Sequence, residues 1–220
     1  MIADWTPVLL TLKVSLTATV FSVTLGLLVA WVLAKWQFRG KNLVDALIMQ
    51  PMVIPPTVLG YYLLVAFGRR SPLGEALESW FGLTLVFTWQ GAVLAAMVAS
   101  LPLFIKPVRA ALESVDARLE HAARLLGKTE WTVMRTVTLP LAWRGILAGG
   151  VLAFARAVGD FGTTLMVAGN IPGRTQTVPI AIYDAVQSGE QGQANALVLL
   201  VTLFSVAVLW LVSRMTAGRF

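Results

Sequence analysis

Polar and apolar residues are distributed along this chain in long blocks, not at the short alternation of a half-buried strand or the narrow stripe of a surface helix. Apolar runs lie near residues 9–34, 43–67, 85–105, 145–168 and 195–213, each close to the roughly 20 residues that an α-helix needs to cross a bilayer core. The pattern predicts five transmembrane helices. The first run begins at about Val8 after a short polar start, with no basic leader and no small-residue cleavage site, and it is longer than a signal-peptide core. It is therefore expected to remain as a span.

Irregularities inside the runs carry the next layer of information. Thr11, Ser15, Thr19 and Ser22 recur at helical spacing and place four hydroxyls on one face of the first span; that face either packs against a neighbouring helix or lines a polar path. Lys13 lies near the outer end of this span, within reach of the headgroups. The second run contains Pro51, Pro55, Pro56 and Gly60. Each proline removes a backbone donor and clashes with the preceding turn, so a kinked or broken helix is expected, either as a structural kink or as the wall of a pathway. In the fourth run Gly145, Gly149, Ala153 and Ala157 repeat every four residues, a smooth stripe suited to close approach by another helix. Arg156 and Asp160 follow one turn apart. Ionisable groups at such depth face the bundle interior and take a partner, which leaves open a self-neutralising pair and a pathway role. Between runs, residues 73–81 predict a short interfacial helix carrying Trp80 and Phe81. Residues 170–194 read as a Pro-Gly turn, a short helix and a polar linker.

Composition agrees with a membrane protein: 57% of residues are hydrophobic and 13% charged, against about 45–50% and about 25% in soluble domains. The seventeen basic residues then orient the spans, because lysine and arginine near span ends stay in the cytoplasm. Lys35, Arg39 and Lys41 follow the first span. Lys106, Arg109, Arg118, Arg124, Lys128, Arg135 and Arg144 lie between the third and fourth, and Arg214 and Arg219 end the chain. Only Arg69, Arg70 and Arg174 fall on the other side. The N-terminus is expected outside and the C-terminus in the cytoplasm. The net charge of +6 is thus a topology signal, with no basic-aromatic module for nucleic acid. No cysteine is present and His121 is the single histidine, so no disulfide, metal site or cofactor is expected and little is available for catalysis. A secondary transporter would need inverted repeats and coupling-ion sites, which five spans with one ionisable pair fit poorly.

The most polar long stretch is EHAARLLGKTEWTVMRTVTLPLA, residues 120–142. It contains Gly127-Lys128-Thr129, yet a phosphate-binding loop needs a glycine five positions earlier, where Ala122 stands, and an apolar strand leading in. The tripeptide is a chance match, and the chain is not expected to hydrolyse ATP by itself. What remains is a helix of small residues, a break at Gly127 and a second helix capped by Thr129, with Trp131, Met134, Val137 and Thr138 at helical spacing and Leu139-Pro140 as its stop. Such a short helix fits a groove in a partner or rests on lipid.

These residues also carry a family resemblance. Glu120, Ala122, Ala123, Gly127, Val137, Leu139 and Pro140 resemble the EAA loop of permease subunits of bacterial ABC importers, E-A-A, three residues, G, nine residues, I-x-L-P. Val137 replaces isoleucine, and His121 stands between Glu120 and the alanine pair, so that Glu120 precedes Gly127 by seven residues instead of six. Residues 152–183, LAFARAVGDFGTTLMVAGNIPGRTQTVPIAIY, resemble molybdate importer permeases, with FAR-x-x-G-[DE]-FG placing Gly159 beside Asp160, followed by N-I-P-G-x-T-x-T-x-P. Sulfate permeases share the first segment but not the second. The resemblance implies an all-α type I ABC importer permease fold over a single domain of residues 1–220, with a cytoplasmic coupling loop at about 107–144 and an outer loop at about 170–194. It implies a homodimer in the bacterial inner membrane, two cytoplasmic ATP-binding subunits gripping residues 120–142, and an external binding protein. The cargo it implies is molybdate, with sulfate or tungstate as alternatives. Pro55, Pro56, Arg156, Gly159 and Asp160 are the candidate pathway or gate residues, and Gly145, Gly149 and Ala153 the packing stripe.

Overall fold

The computed structural model describes residues 4–216, and every regular element among them is helical. Helix α1, Thr6–Lys35, starts with Pro7 in its first turn and spans 30 residues, about 45 Å of rise. It packs along α5, Trp89–Glu113, and α8, Leu139–Val158. These three helices form the centre. Their contact is close because the facing positions are small: Ala18, Ala30, Ala92, Ala96 and Ala153 are fully buried, and Phe104, Ile105, Val108 and Leu112 fill the remaining space. The stripe on α8 meets α5. A Cβ on Gly145 would collide with that of Ala111, and one on Gly149 would stand 2.9 Å from Val108 Cγ2 and 3.0 Å from the Phe104 carbonyl oxygen.

Four helical stretches are long and apolar enough to cross a membrane: Thr6–Lys35, Trp89–Glu113, Glu130–Val158 and Gln191–Trp210. The second apolar run is not a straight span. Helix α2, Lys41–Met49, passes through a short 3-10 turn, and the chain then bends by 111° before α3, Pro56–Phe67. The break follows from Pro55 and Pro56, which bring no N–H into the turn and cannot continue the preceding helix. Five spans result only if this bent pair counts as one.

The fourth run also departs from the expected limits. Helix α7, Glu130–Val133, does not end at Leu139-Pro140. It runs through a π-helical turn, Met134–Thr138, directly into α8. In that turn the Leu139 N–H donates to the Met134 carbonyl, an i to i+5 bond, and the wider turn makes room for Pro140 in the first turn of α8, where its missing donor is harmless. At the other end α8 stops at Val158, and a separate α9, Gly162–Ala168, takes up the rest of the run.

The hydroxyl face of α1 is a packing face. Thr11 and Ser15 donate to carbonyls four residues back at 2.7 Å, Ser22 lies 3.2 Å from Ser100 of α5, and Thr11 Oγ1 accepts the Val178 N–H at 2.8 Å. That last bond joins α1 to α10, Val178–Gln187, the short helix expected within residues 170–194. The short helix expected at residues 73–81 is α4, Pro72–Phe81, capped by Ser71 and carrying exposed Trp80 and Phe81. Helix α11, Gln191–Thr216, closes the bundle against α10 and α8. Arg219, used above for orientation, lies outside the described residues.

Candidate functional site

The EAA-like segment folds as two short helices hung from one end of the bundle. Asp116 caps α6, Ala117–Leu125, by accepting the Arg118 N–H, and Thr129 caps α7 by accepting the Thr132 N–H. Between them Gly127 adopts φ +75°, with nothing near its missing Cβ; the turn needs glycine for its backbone conformation and not for space. Leu125, Leu126 and Trp131 remain exposed, at 89%, 79% and 66%. Ala122 is exposed too, Ala123, Val137 and Leu139 are half-buried, and Pro140 is exposed.

Glu120 anchors this segment. Its side chain is buried, and one carboxylate oxygen accepts from Lys35 Nζ at 2.6 Å and from Thr138 Oγ1 at 2.7 Å, while the other lies 3.8 Å from Arg124. Burial alone would raise its pKa, but the bonds from Lys35 and Thr138 and the charges of Lys35 and Arg124 outweigh it, so Glu120 titrates below an ordinary glutamate. One residue thus ties α6 to the end of α1 and to the π turn. Arg124 in turn binds Glu130 through two nitrogens, at 2.6 and 3.0 Å, closing α6 onto α7. The extra residue at His121 does not displace Glu120 from the bundle. In the sequence pattern Lys35 is a topology marker only, and Thr138 one of a helical series.

The pathway candidates come together elsewhere. A Cβ on Gly162 would stand 3.0 Å from Pro56 Cβ, and one on Gly60 2.6 Å from Met166 Cβ. The break before α3 therefore abuts the break between α8 and α9. Pro55, Pro56 and Gly159 are exposed there. Asp160 is fully enclosed: it accepts from Arg156 Nη1 at 3.0 Å, Thr163 Oγ1 at 3.2 Å, Thr164 N at 3.0 Å and Thr164 Oγ1 at 2.7 Å. Its donors are saturating. The Arg156 side chain keeps 27% of its surface exposed. Gly145, Gly149 and Ala153 are apart from both places, on the α5 contact.

Among the described residues no group of acidic, histidine or cysteine side chains is arranged to hold a metal ion. The candidate residues thus form an anchored, exposed helix pair at one end of the bundle and, apart from it, two abutting helix breaks.

The fold is that of a type I ABC importer permease. A bacterial ABC transporter involved in the import of the acidic polysaccharide alginate superposes with a TM-score of 0.76 over 96% of this chain and 78% of its own, at 15% identity. The MetNI methionine ABC transporter gives 0.69, over 98% and 94%, at 19% identity. Residues 22–217 match the binding-protein-dependent transport system inner membrane component family, and the chain belongs to that family. The molybdenum transport system permease protein ModB of Escherichia coli is 48% identical across 98% of this chain and 97% of its own length. That of Haemophilus influenzae is 44% identical, across 94% and 92%. A probable sulfate transport system permease protein of Zygnema circumcarinatum is 31% identical, across 92% of this chain and 70% of its own length.

Proposed function

We propose that this chain is the membrane permease subunit of an ABC importer for molybdate in the bacterial inner membrane, with ATP hydrolysis on partner chains. The observation that carries the reading is the 48% identity to a molybdenum permease along nearly the whole of both chains. The sulfate relative is more distant and longer than this chain. Two copies of the chain form the pathway, each a single permease domain over residues 1–220 with the N-terminus outside and the C-terminus in the cytoplasm. An external binding protein meets the segment at about 170–194.

The coupling loop at about 107–144 docks the ATP-binding subunits. Support for this comes from the exposed Leu125, Leu126 and Trp131, which offer apolar anchors of the kind a helix presents to a groove, and from the Glu120 bonds that fix the segment to the bundle. Gly127, Ala122 and Ala123 shape the docking helix, and Val137, Leu139 and Pro140 join it to α8. The abutting breaks at Pro55, Pro56, Gly159 and Asp160 form the gate, where two half-helices can shift without breaking a continuous backbone ladder. Asp160 holds Arg156 in place, and the exposed edge of Arg156 faces the path.

The test is reconstitution into liposomes with the ATP-binding and binding-protein partners. ATP-dependent uptake of labelled molybdate is expected, with ATPase activity appearing only when the second protein is added. Sulfate uptake that molybdate does not compete for, or ATP hydrolysis by this chain alone, overturns the reading.

A further inference from the structure

Some of the bundle's positive charges are paired with carboxylates and others are not. At the Glu120 end Lys35, Arg109 and Arg124 are each paired with a carboxylate at 2.6 to 2.8 Å. At the other end, about 33 Å along α1 from Lys35, Lys13, Arg69 and Arg174 have no carboxylate within 4.0 Å among the described residues. These three cations line two adjoining cavities. Arg69 and Arg174 wall one of about 530 Å³, together with Thr84, Phe87 and Thr88, and Lys13 and Arg174 wall one of about 380 Å³. Thr88 and Arg174 belong to both, and no acidic residue belongs to either. The acids nearby in sequence are engaged or elsewhere: Asp184 accepts from Asn170 and Gln176, and Glu75 sits on α4.

The walls are held in shape. Phe87 is the one non-glycine residue with a positive φ, 59°, among the described residues, a conformation that persists only where its surroundings over-determine it. Its N–H donates to the Val167 carbonyl at 3.0 Å, and its ring lies against Gly169. Arg174 is placed by a tight turn in which its own N–H and that of Thr175 both donate to the Ile171 carbonyl, at 3.0 and 2.9 Å, next to Gly173 at φ +74°. Lys13 is fixed over the face of Trp89, 3.7 Å from the ring centroid. Uncompensated cations around low-dielectric walls focus an attractive field for anions.

We propose that these adjoining cavities receive a tetrahedral oxyanion dianion at Arg174, with Arg69 and Lys13 supplying further positive charge, before it reaches the breaks in the bundle. This rests on the oxyanion-importer reading and adds a site to it. Two arginines and a lysine match the charge and the multiple acceptor oxygens of such an ion, and their exposure lets it leave again.

The test measures binding of molybdate to the permease with its ATP-binding subunits, in detergent and without the binding protein, by equilibrium dialysis of labelled molybdate. Weak binding is expected, falling steeply as salt rises. Arg174→Gln and Arg69→Gln should each weaken it at least tenfold, Lys13→Gln less, and Arg174→Lys should retain most of it. All four variants should still co-purify with the ATP-binding subunits, since these residues are far from Glu120. Molybdate binding that is absent in the unaltered complex, or unchanged in Arg174→Gln, overturns the site. So does a result in which Arg174→Gln leaves molybdate binding intact and lowers only association of the binding protein, or of vesicles containing phosphatidylglycerol. Failure of the importer reading shows separately, as absence of ATP-driven molybdate uptake by the unaltered transporter. A transporter that takes up molybdate normally but binds none at this end retains the reading and loses the site.

Discussion

Glu120→Gln is the substitution that most directly tests the anchoring of the EAA-like segment. It keeps the shape of the side chain and removes the charge that Lys35 and Thr138 bind at 2.6 and 2.7 Å. A hydrogen bond to a charged group contributes about 1.5–3 kcal/mol, and breaking a fully buried ion pair costs about 3–5 kcal/mol. Lys35 keeps 23% of its side-chain surface and can turn to water, so the loss belongs near the lower figure, about 2 kcal/mol. Opening of the segment then becomes roughly 30-fold more frequent. Amide hydrogen exchange reads this directly: protection should fall by that factor across residues 120–138, with the amides of α5 near Ser100 unchanged. The pH dependence has a defined sign. Glu120 has a lowered pKa in the fold, so its contribution is full above the ordinary glutamate range and is lost as pH falls through the lowered value. At neutral pH the gap between the two proteins should not vary with pH; it should begin to shrink only below the ordinary glutamate range and close as pH falls through the lowered value. Equal exchange in both proteins at pH 7, or loss spread evenly over the bundle, refutes the anchoring argument.

Gly127→Val places a β-branched residue at φ +75°, at a cost of about 1–3 kcal/mol, and should leave the protein inserted but reduce co-purification of the ATP-binding subunits by at least tenfold; normal co-purification removes the role of the turn. Gly149→Leu drives a side chain into Val108 and the Phe104 carbonyl and should lower the thermal midpoint in detergent, by overpacking worth about 1–3 kcal/mol or more; an unchanged midpoint refutes the tight α5–α8 contact. Asp160→Asn removes the charge that Arg156 binds and turns one of two acceptor oxygens into a donor, weakening the bonds from Thr163 and Thr164, so the amount of folded protein should fall more than with Arg156→Gln, which leaves Asp160 its threonine partners. Equal abundance of the two variants counts against Asp160 as the hub.

How much of this was legible beforehand depends on the range of each interaction. Span lengths, the small-residue stripe and the Gly127 turn are local properties, and each is written in spacing or in a residue type with one physical use. The Lys35–Glu120 bond joins positions 85 apart; no periodicity connects them, and the surplus of cations around Lys35 hides the one that is paired. The π turn is hidden because Leu139-Pro140 stops a helix with i to i+4 bonding, whereas the wider turn, closed by the Leu139 N–H on the Met134 carbonyl, lets the chain continue past Pro140. The breaks at 53–55 and 159–161 were visible separately as prolines and as an ionisable pair. Their meeting required the α3–α9 contact through Gly60 and Gly162, two small residues whose spacing in sequence says nothing of each other.

The two breaks solve one problem by opposite means. A helix that starts within an apolar bundle presents N–H groups with no partner, and leaving them bare is costly where water is scarce. Before α3 the chain deletes donors: Pro55 and Pro56 have none, and the Val58 and Leu59 N–H groups both return to the Pro55 carbonyl, at 2.9 and 3.0 Å. Before α9 it brings an acceptor instead, and Asp160 takes the Thr164 N–H together with both threonine hydroxyls. The second solution introduces a charge that the first does not, and Arg156 one turn back sets an opposite charge beside it, 3.0 Å away. Arg156 gives Asp160 only one of its nitrogens. An arginine is thus left beside the break with donors to spare and 27% of its side-chain surface exposed. A pair required by the fold and a cation offered to an anion are therefore compatible descriptions of the same two residues.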